Sequence, residues 1–297
     1  MRPVLTLLTA TILLVPVVAP RAAAQTPRQR TLHVTALTAS GDPATALTPA
    51  DVIVREDGVA REVVKVTPSA TPVDIVLLID NSVAATRALQ DMRLGLEAFV
   101  TTFAGPHTIS LVTVADRPTV IVPPTTSKAQ LLRGVQRLFV QPGAGAYLVE
   151  GILEQSTAIG RRKPERGAIL AVTSFGVEFS DRGYQFALDA LAESGASLYV
   201  VELQDTSDAG ALNQGSRDRN VVIDRGVSDT GGARDLLIAN MSLRDALQKM
   251  GRLITTQYEV VYGRPETLLP PRKVDVDSAR PALKIRGNLL QSNRERR

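Results

Sequence analysis

The sequence contains no cysteine and no tryptophan, and His33 and His107 are its only histidines. Without cysteine the chain can form neither disulfides nor thiolate metal sites, so the fold must be held by its hydrophobic core alone. Two histidines leave few ways to assemble a Ser-His-Asp triad. Aromatic residues make up only 4% of the chain, which argues against a base-stacking surface for nucleic acid.

The chain also lacks a strong excess of charge of one sign. The formal net charge is +4 over 297 residues. Arg2 and Arg21 lie in a segment that we expect to be removed, which would lower this charge by two. So small an excess does not indicate a nucleic-acid partner. The hydrophobic fraction of 44% and the charged fraction of 22% are typical of a soluble globular protein.

Residues 1–24 have the pattern of an export signal. Arg2 gives a positive start, residues 4–19 are mostly apolar, and A-A-A at 22–24 provides a small-residue cleavage site. The alternative is an uncleaved anchor helix, but prolines interrupt the apolar stretch and it is short for a membrane span. We expect cleavage after residue 24 and an exported protein, either periplasmic or secreted.

The stretch 73–79, V-D-I-V-L-L-I, is a continuous apolar run that ends in Asp80, Asn81 and Ser82. Such a run is typical of a parallel central strand that is covered on both faces. In open α/β sheets the ligand crevice lies beyond the carboxyl ends of the strands. The three polar side chains are therefore predicted to stand where such a fold keeps its site.

From residue 73 onward, strand patterns alternate with helical ones. This predicts a Rossmann-like, doubly wound α/β fold with a mostly parallel sheet and helices on both faces. A prolyl pair, Pro123-Pro124, is expected to stop one short strand. Ser180 is expected to begin one helix, and Ser242 to cap another. The predicted strands are 73–79, 108–114, 119–122, 168–172, 196–203 and 233–239.

Short alternating strands flank this region, at 31–37, 51–56 and 60–66 before it and at 256–262, 273–276 and 282–285 after it. Either group is too small to bury a core, so the two are predicted to pair into one small β unit. Asp57-Gly58 predicts a hairpin between two of the early strands.

The expected division of the chain follows from these patterns. It comprises a signal at 1–24, an N-terminal β extension at 31–70, a main domain at 73–256, C-terminal strands at 257–287 and a polar tail at 288–297. The polar stretch 205–226 is expected to be a surface loop or a mobile insert.

Four stretches of the sequence resemble the exported bacterial group of von Willebrand factor type A (VWA) domain proteins. They are L-T-P-A-D-V-I-V-R-E-D-G-V-A at 47–60, V-D-I-V-L-L-I-D-N-S at 73–82, D-T-G-G-A-R-D at 229–235 and I-T-T-Q-Y-E-V-V-Y-G-R-P at 254–265. The resemblance extends over nearly the whole mature chain. It implies a VWA fold and a non-enzymatic module that binds other proteins.

The resemblance also implies the location of a metal-ion-dependent adhesion site, at which family members bind a divalent cation. Asp80 and Ser82 keep the first two oxygen-bearing positions of the family pattern. The other three positions are altered, because they fall on Ala84, Ala146 and Ser174. Mg²⁺ prefers an octahedron of oxygen ligands, so the alteration of three of the five positions, with the loss of a negative charge, weakens such a site.

We therefore expect a vestigial site, with no cofactor bound at physiological concentration. In this interpretation the Asp80 carboxylate is structural and accepts backbone N–H bonds at the turn after the strand. The alternative is weak Mg²⁺ binding by Asp80 and Ser82, helped by Ser174 or Glu150, and cation-dependent adhesion.

The expected function is binding of a protein partner in the envelope or outside the cell, through an interaction rim made of Asn81, Ala84, Ala146, Tyr147 and Ser174. We expect no catalytic residues and no enzymatic activity. The D-T-G triplet at 229–231 is similar to that of aspartic proteases, but a second copy is absent. Glu178, Asp181 and Asp189 are predicted to be a solvated helix start rather than an acid/base pair. A hydrolase would need such a pair.

Overall fold

The computed structural model describes residues 28–204, 214–265, 271 and 273–287. The predicted signal segment at 1–24, the first part of the polar stretch at 205–213 and the tail at 288–297 lie outside the described residues. No helix among the residues described is both long enough and apolar enough to span a membrane.

The described residues form thirteen strands and six α-helices. The strands are β1 Arg28–Leu37, β2 Val52–Glu56, β3 Val59–Arg61, β4 Val63–Pro68, β5 Asp74–Ile79, β6 Thr108–Thr113, β7 Thr119–Thr125, β8 Gly167–Ser174, β9 Ser197–Leu203, β10 Arg234–Leu237, β11 Tyr258–Arg264, β12 Val274–Ser278 and β13 Lys284–Gly287. The helices are α1 Leu89–Phe103, α2 Lys128–Gln136, α3 Leu148–Arg162, α4 Tyr184–Ser194, α5 Gln214–Asp229 and α6 Leu243–Thr255. Short 3-10 segments occupy Pro49–Asp51, Val83–Ala88 and Asn240–Ser242.

The main sheet has six strands in the order β10-β9-β8-β5-β6-β7, and all are parallel except β7. Strand β5 lies in its interior and is buried along its whole length. Its side chains alternate between two cores, with Leu77 packed on the side of α1, α2 and α6 and Leu78 on the side of α3, α4 and α5. Each such buried side chain stabilises the fold by about 1.5–3 kcal/mol. The predicted doubly wound α/β fold is confirmed.

The outer strand β7 is longer than predicted. It continues through Pro123 and Pro124, which were expected to end it, as far as Thr125. Strand β7 is the edge of the sheet and pairs only with β6, in an irregular register. Proline is tolerated there because an edge strand leaves one side of its backbone unpaired.

The early and late strands pair with each other. A four-stranded sheet has the order β13-β1-β11-β4, and a three-stranded sheet has the order β12-β2-β3. The hairpin at Asp57-Gly58 is present, and both residues have positive φ, at 48° and 84°. The single strand predicted at 60–66 is instead divided between β3 and β4, which belong to different sheets. The domain boundaries themselves stay a prediction.

The polar stretch predicted as a loop at 205–226 is helical from residue 214 onward, as part of α5. The buried face of this helix includes Arg219, Val222 and Ile223 at helical spacing. Arg219 occupies a core position and is 1% exposed. A charged residue at that position interrupted the apolar periodicity, and this is why the pattern suggested a loop.

One predicted helix start was wrong. Helix α4 begins at Tyr184, not at Ser180, and Gly183 is its N-cap. Ser242 is the N-cap residue of α6, as predicted, but its side chain makes no capping hydrogen bond. By contrast, the Ser127 side chain accepts a hydrogen bond from the backbone N–H of Gln130 at the start of α2.

Candidate functional site

The polar residues that follow β5 lie at the carboxyl edge of the main sheet, but they are buried. The Asp80 carboxylate is inaccessible to solvent. Its Oδ1 accepts the Ser82 N–H at 2.9 Å, and its Oδ2 accepts the Ser174 N–H at 3.0 Å. The Thr173 hydroxyl donates to Oδ2 at 3.4 Å. The carboxylate is thus held by protein donors from β8 and from its own turn, as its structural interpretation expects.

Asn81 connects three segments of this edge. Its Oδ1 accepts the Ala115 N–H after β6, and its Nδ2 donates to the Phe139 carbonyl after α2, both at 3.0 Å. Its backbone carbonyl accepts the Gln141 N–H. Asn81 is 7% exposed. Its amide therefore fixes loops, rather than facing a partner as a rim residue would.

The other residues of the predicted site do not form a set of oxygen ligands. Ala146 is buried and contributes only its backbone, which bonds Val177 and Phe179. The Ser174 hydroxyl is buried and has no hydrogen-bond partner among the described residues. No group of three or more acidic or histidine side chains suited to a metal occurs in the part of the chain that the structure describes.

The side chains present at the predicted site are poor ligands for a divalent cation. The one carboxylate of the predicted set, on Asp80, already accepts three hydrogen bonds. A cation would have to compete with these donors for the carboxylate oxygens. Mg²⁺ also requires near-octahedral oxygen ligation, for which hydroxyls and waters would have to supply nearly everything.

Glu178 is a buried carboxyl at this edge that the sequence interpretation placed in solvent. It is 1% exposed, whereas Asp181 is exposed as expected. The Glu178 Oε1 accepts the Val149 N–H at 3.3 Å, at the first turn of α3, and the Ser180 hydroxyl donates to the same oxygen. Burial raises the pKa of Glu178 to about 7, although these hydrogen bonds act in the opposite direction. Its stretch has neither helical nor strand periodicity, so no pattern signalled the burial.

The loop before α3 crosses the strand ends and is fixed by backbone hydrogen bonds. The Tyr147 N–H donates to the Val114 carbonyl at 2.8 Å, and the Val83 N–H donates to the Ala144 carbonyl at 3.1 Å. Gly145 lies directly beneath the Phe179 ring, and a Cβ there would stand 1.9 Å from Phe179 Cδ2. Glycine is therefore required for the ring to occupy this place.

Apolar side chains around this loop are exposed. Phe139 is 58% exposed, Phe179 49% and Val83 57%. The rings of Phe179 and the half-buried Tyr147 stack with centroids 6.3 Å apart. The sequence interpretation named Tyr147 but missed the other three, because their periodicity gave no sign that they lie together.

The charge around the rim is uneven. Burial raises the pKa of Tyr147, and the neighbouring carboxylates Asp181, Asp116, Glu150 and Glu178 raise it further. The field on this side of the rim is thus negative. The other side of the edge contains a cavity of about 180 Å³. It is lined by Ala84, Arg87, Ala88, Ser174, Leu203, Gln204, Ile238 and Asn240.

A buried ion-pair network lies near the carboxyl edge, between α5 and the strands β9 and β10. Arg219 and Arg234 each bind one oxygen of the Glu202 carboxylate on β9, and both Arg219 and Glu202 are buried. Arg234 also binds Asp224 at 2.6 Å. The Arg219 guanidinium lies 5.9 Å from the centre of the Phe175 ring. The network joins α5, β9 and β10, so α5 is attached firmly to the sheet.

Comparison with solved structures is consistent with the observed fold. A von Willebrand factor type A protein from Catenulispora acidiphila is 10% identical, with 89% of this chain and 73% of that chain covered and a TM-score of 0.49. Proximal thread matrix protein 1 from the mussel byssus is 16% identical over 67% of this chain, with a TM-score of 0.51. The match spans about half of the mussel chain, at 49%. At 16% identity the likeness to the mussel protein shows the fold alone.

No curated protein matches the chain. The sequence of residues 75–176 matches the family model described as the von Willebrand factor type A domain. The matched range begins in β5 and ends just beyond β8, so it includes Asp80, Ala146 and Ser174. In this range the chain is therefore similar in sequence to the von Willebrand factor type A domain.

Proposed function

We propose that this chain is an exported, non-enzymatic protein that binds another protein at the carboxyl edge of its main sheet, without a bound metal. Domains of this family generally serve interaction or adhesion rather than catalysis. The observation that carries the proposal is a contrast at this edge. The Asp80 carboxylate of the predicted metal site is buried and hydrogen-bonded, while Phe139, Phe179 and Val83 are exposed near it.

Exposed aromatic side chains favour a protein partner. Aromatic residues are enriched in protein interfaces because they bury a large area with little loss of conformational entropy. The Phe179 ring is held by Gly145 below and Tyr147 beside it, so little ordering is needed on binding. Residues 141–147 are bonded to three neighbouring segments, which supports a rigid docking surface.

Site-specific photo-cross-linking in the native envelope tests this proposal. A photoreactive phenylalanine analogue is placed at Phe179 in the full chain, and in a control at Val64 on β4, which is similarly exposed at 48%. We expect a discrete adduct from position 179 but none from position 64, with the same yield with and without chelator. The absence of an adduct at position 179 would contradict the proposal.

The second candidate function is Mg²⁺-dependent adhesion through Asp80 and Ser82. It is favoured by the position of both residues at the carboxyl end of the interior strand β5. Calorimetric titration of the wild-type chain with Mg²⁺ and with Mn²⁺ separates the two functions. Binding tighter than about millimolar, together with loss of the cross-link in chelator, would favour the adhesion mechanism.

A further inference from the structure

The small cavity at the carboxyl edge has the chemistry of an anion receptor. It lies between the 3-10 segment Val83–Ala88 on one side and the ends of β8, β9 and β10 on the other. Among the residues that the structure describes, Arg87 is the only charged one in its lining. The remaining polar lining residues are Ser174, Gln204 and Asn240, all of which can donate a hydrogen bond.

The local structure explains why Arg87 lines the cavity. In a 3-10 helix, side chains three residues apart lie on the same face. Ala84 and Arg87 are spaced in this way, and both line the cavity. Ala84 is half-buried and small, which leaves room beside the arginine. No side-chain hydrogen bond or ion pair of Arg87 occurs within the described ranges, so its donors are available to a ligand.

Ser174 provides a second, independent observation. It is 3% exposed and lines the cavity, yet its hydroxyl has no hydrogen-bond partner among the residues described. A buried hydroxyl without a partner is costly, and a bound oxygen atom would supply one. The neighbouring Asp80 does not use this hydroxyl, because it accepts the Ser174 backbone N–H instead.

We propose that this cavity binds a side-chain carboxylate of the protein partner, with Arg87 as its cationic anchor and Ser174, Gln204 and Asn240 as further donors. This inference rests on the proposed function and specifies the chemistry of the partner. The planar guanidinium matches the two oxygens of a carboxylate, so no bridging cation is required.

The size of the cavity favours an acidic side chain over a free ligand. A volume of about 180 Å³ corresponds to about six water molecules in the liquid. This accommodates a carboxylate with one or two methylene groups but is below the range of typical small-molecule sites. Ala88, Leu203 and Ile238 supply apolar contacts for the methylene groups.

Nuclear magnetic resonance can test the cavity without knowledge of the partner. The side-chain amide signals of Gln204 and Asn240 are followed, in chelator, while acetyl-Ala-Glu-Ala-amide is added. The matched probe is the same peptide with glutamine in place of glutamate. We expect saturable shifts of both amides with the glutamate peptide only. Equal shifts with both peptides, or shifts that require Mg²⁺, would overturn the proposal.

Substitution of Arg87 tests the anchor. We expect Arg87→Gln to weaken binding of the glutamate peptide by about tenfold or more, because it removes the charge-assisted pair. Arg117→Gln is the matched control, since Arg117 is also exposed at this edge but does not line the cavity. Equal weakening in both variants would reduce the effect to long-range attraction and overturn the proposal.

A further experiment tests whether the cavity prefers the carboxylate of a protein side chain or a free carboxylate. The affinity of the chain for acetate is compared with its affinity for the glutamate peptide at constant ionic strength. Tighter binding of acetate would overturn the assignment to a side chain. The photo-cross-link at Phe179 is measured independently. If the adduct forms there but Arg87→Gln does not weaken binding of the glutamate peptide, the proposed function stands and only this inference is rejected.

Discussion

The two edges of the main sheet each contain a buried charged side chain, but they use it differently. At the carboxyl edge, Asp80 accepts hydrogen bonds from its own turn and from the end of β8. At the amino edge, Arg166, which is 4% exposed, donates to the carbonyls of Thr71 and Ile254, each at 2.7 Å. Arg166 also donates to the Gln257 side chain at 2.9 Å.

The two side chains differ in the segments that their hydrogen bonds connect. Asp80 organises a local turn and leaves a cavity and exposed aromatic rings around it. Arg166 joins the segment that enters the main sheet at Thr71 to the segment that leaves it at Ile254 and Gln257. Gln257 in turn donates to Thr35 on β1 and to Tyr199 on β9. The amino edge therefore joins the two parts of the chain, and the carboxyl edge carries the proposed binding surface.

The largest expected effect comes from removal of the joint. Arg166→Met removes the hydrogen-bond donor of the Thr71 and Ile254 carbonyls and of the Gln257 side-chain oxygen. Buried acceptors without partners cost about 1–3 kcal/mol each. We expect a loss of about 4 kcal/mol in the free energy of unfolding, measured by urea denaturation at neutral pH. Arg161→Gln, at an exposed position on α3, should change it by less than about 0.5 kcal/mol. Similar small losses in both variants would contradict the comparison.

The second effect is the pH dependence introduced by Glu178 at the carboxyl edge. Its folded-state pKa, about 7, lies above the ordinary value of 4.5. Between these two pKa values the folded state retains a proton that the unfolded state loses. The contribution of Glu178 to the free energy of unfolding is therefore fully present below pH 4.5 and is lost as the pH rises through 7. Relative to wild type, Glu178→Gln should gain up to about 3 kcal/mol in the free energy of unfolding between pH 5 and 8.

Denaturant unfolding of the wild type and Glu178→Gln at several pH values provides the measurement. Asp181→Asn is the control, because Asp181 is exposed on the same loop. The difference between Asp181→Asn and wild type should stay constant over this pH range. A constant difference for Glu178→Gln as well would mean that the buried carboxyl is ionised throughout.

The third effect tests the structural role of Asp80. Asp80→Ala leaves the backbone N–H groups of Ser82 and Ser174 and the Thr173 hydroxyl without their acceptor. We expect a loss of about 2 kcal/mol, and a smaller one for Asp80→Asn, which retains one oxygen acceptor. Urea unfolding in chelator and in millimolar Mg²⁺ should give the same values for wild type. Stabilisation of the wild type by Mg²⁺ alone would indicate that the site binds the ion.

The sequence was sufficient to predict much of this arrangement. The unbroken apolar run before Asp80 predicted an interior parallel strand, and β5 is one. It also placed Asp80 at the correct edge, because strand ends in a parallel sheet share an edge. The Asp57-Gly58 pair predicted a hairpin, which is present with positive φ at both residues. These features depend on local patterns that one stretch of chain contains in full.

Features that depend on distant contacts were not predictable in this way. Arg219 lies in a core position only because Glu202, on another element, binds it. Glu178 is buried only because the start of α3 packs against it. The lining of the cavity brings Arg87 and Asn240 together although they are far apart in sequence. No single-sequence periodicity reports such pairs, so Glu178 was assigned to solvent and Arg219 to a surface loop or mobile insert.

The smallest expected effect concerns His33, near the joint at the amino edge, and it has the opposite sign to that of Glu178. Burial, and then the nearby Arg166 charge, lower the pKa of His33 from 6.5 to about 4. The unfolded state therefore takes up a proton below pH 6.5 that the folded state refuses until about pH 4. The stabilisation is complete above 6.5 and is lost as the pH falls toward 4.

Since His33 is partly exposed, solvent screening should limit its effect to about 1 kcal/mol. We expect His33→Gln to lose less of its free energy of unfolding than wild type between pH 6.5 and 4, as followed by urea denaturation at each pH. The double variant with Glu178→Gln should show the sum of the two effects, because the residues lie at opposite edges of the sheet. Non-additive values would mean that the edges are coupled, and the division into a joint and a binding edge would then fail.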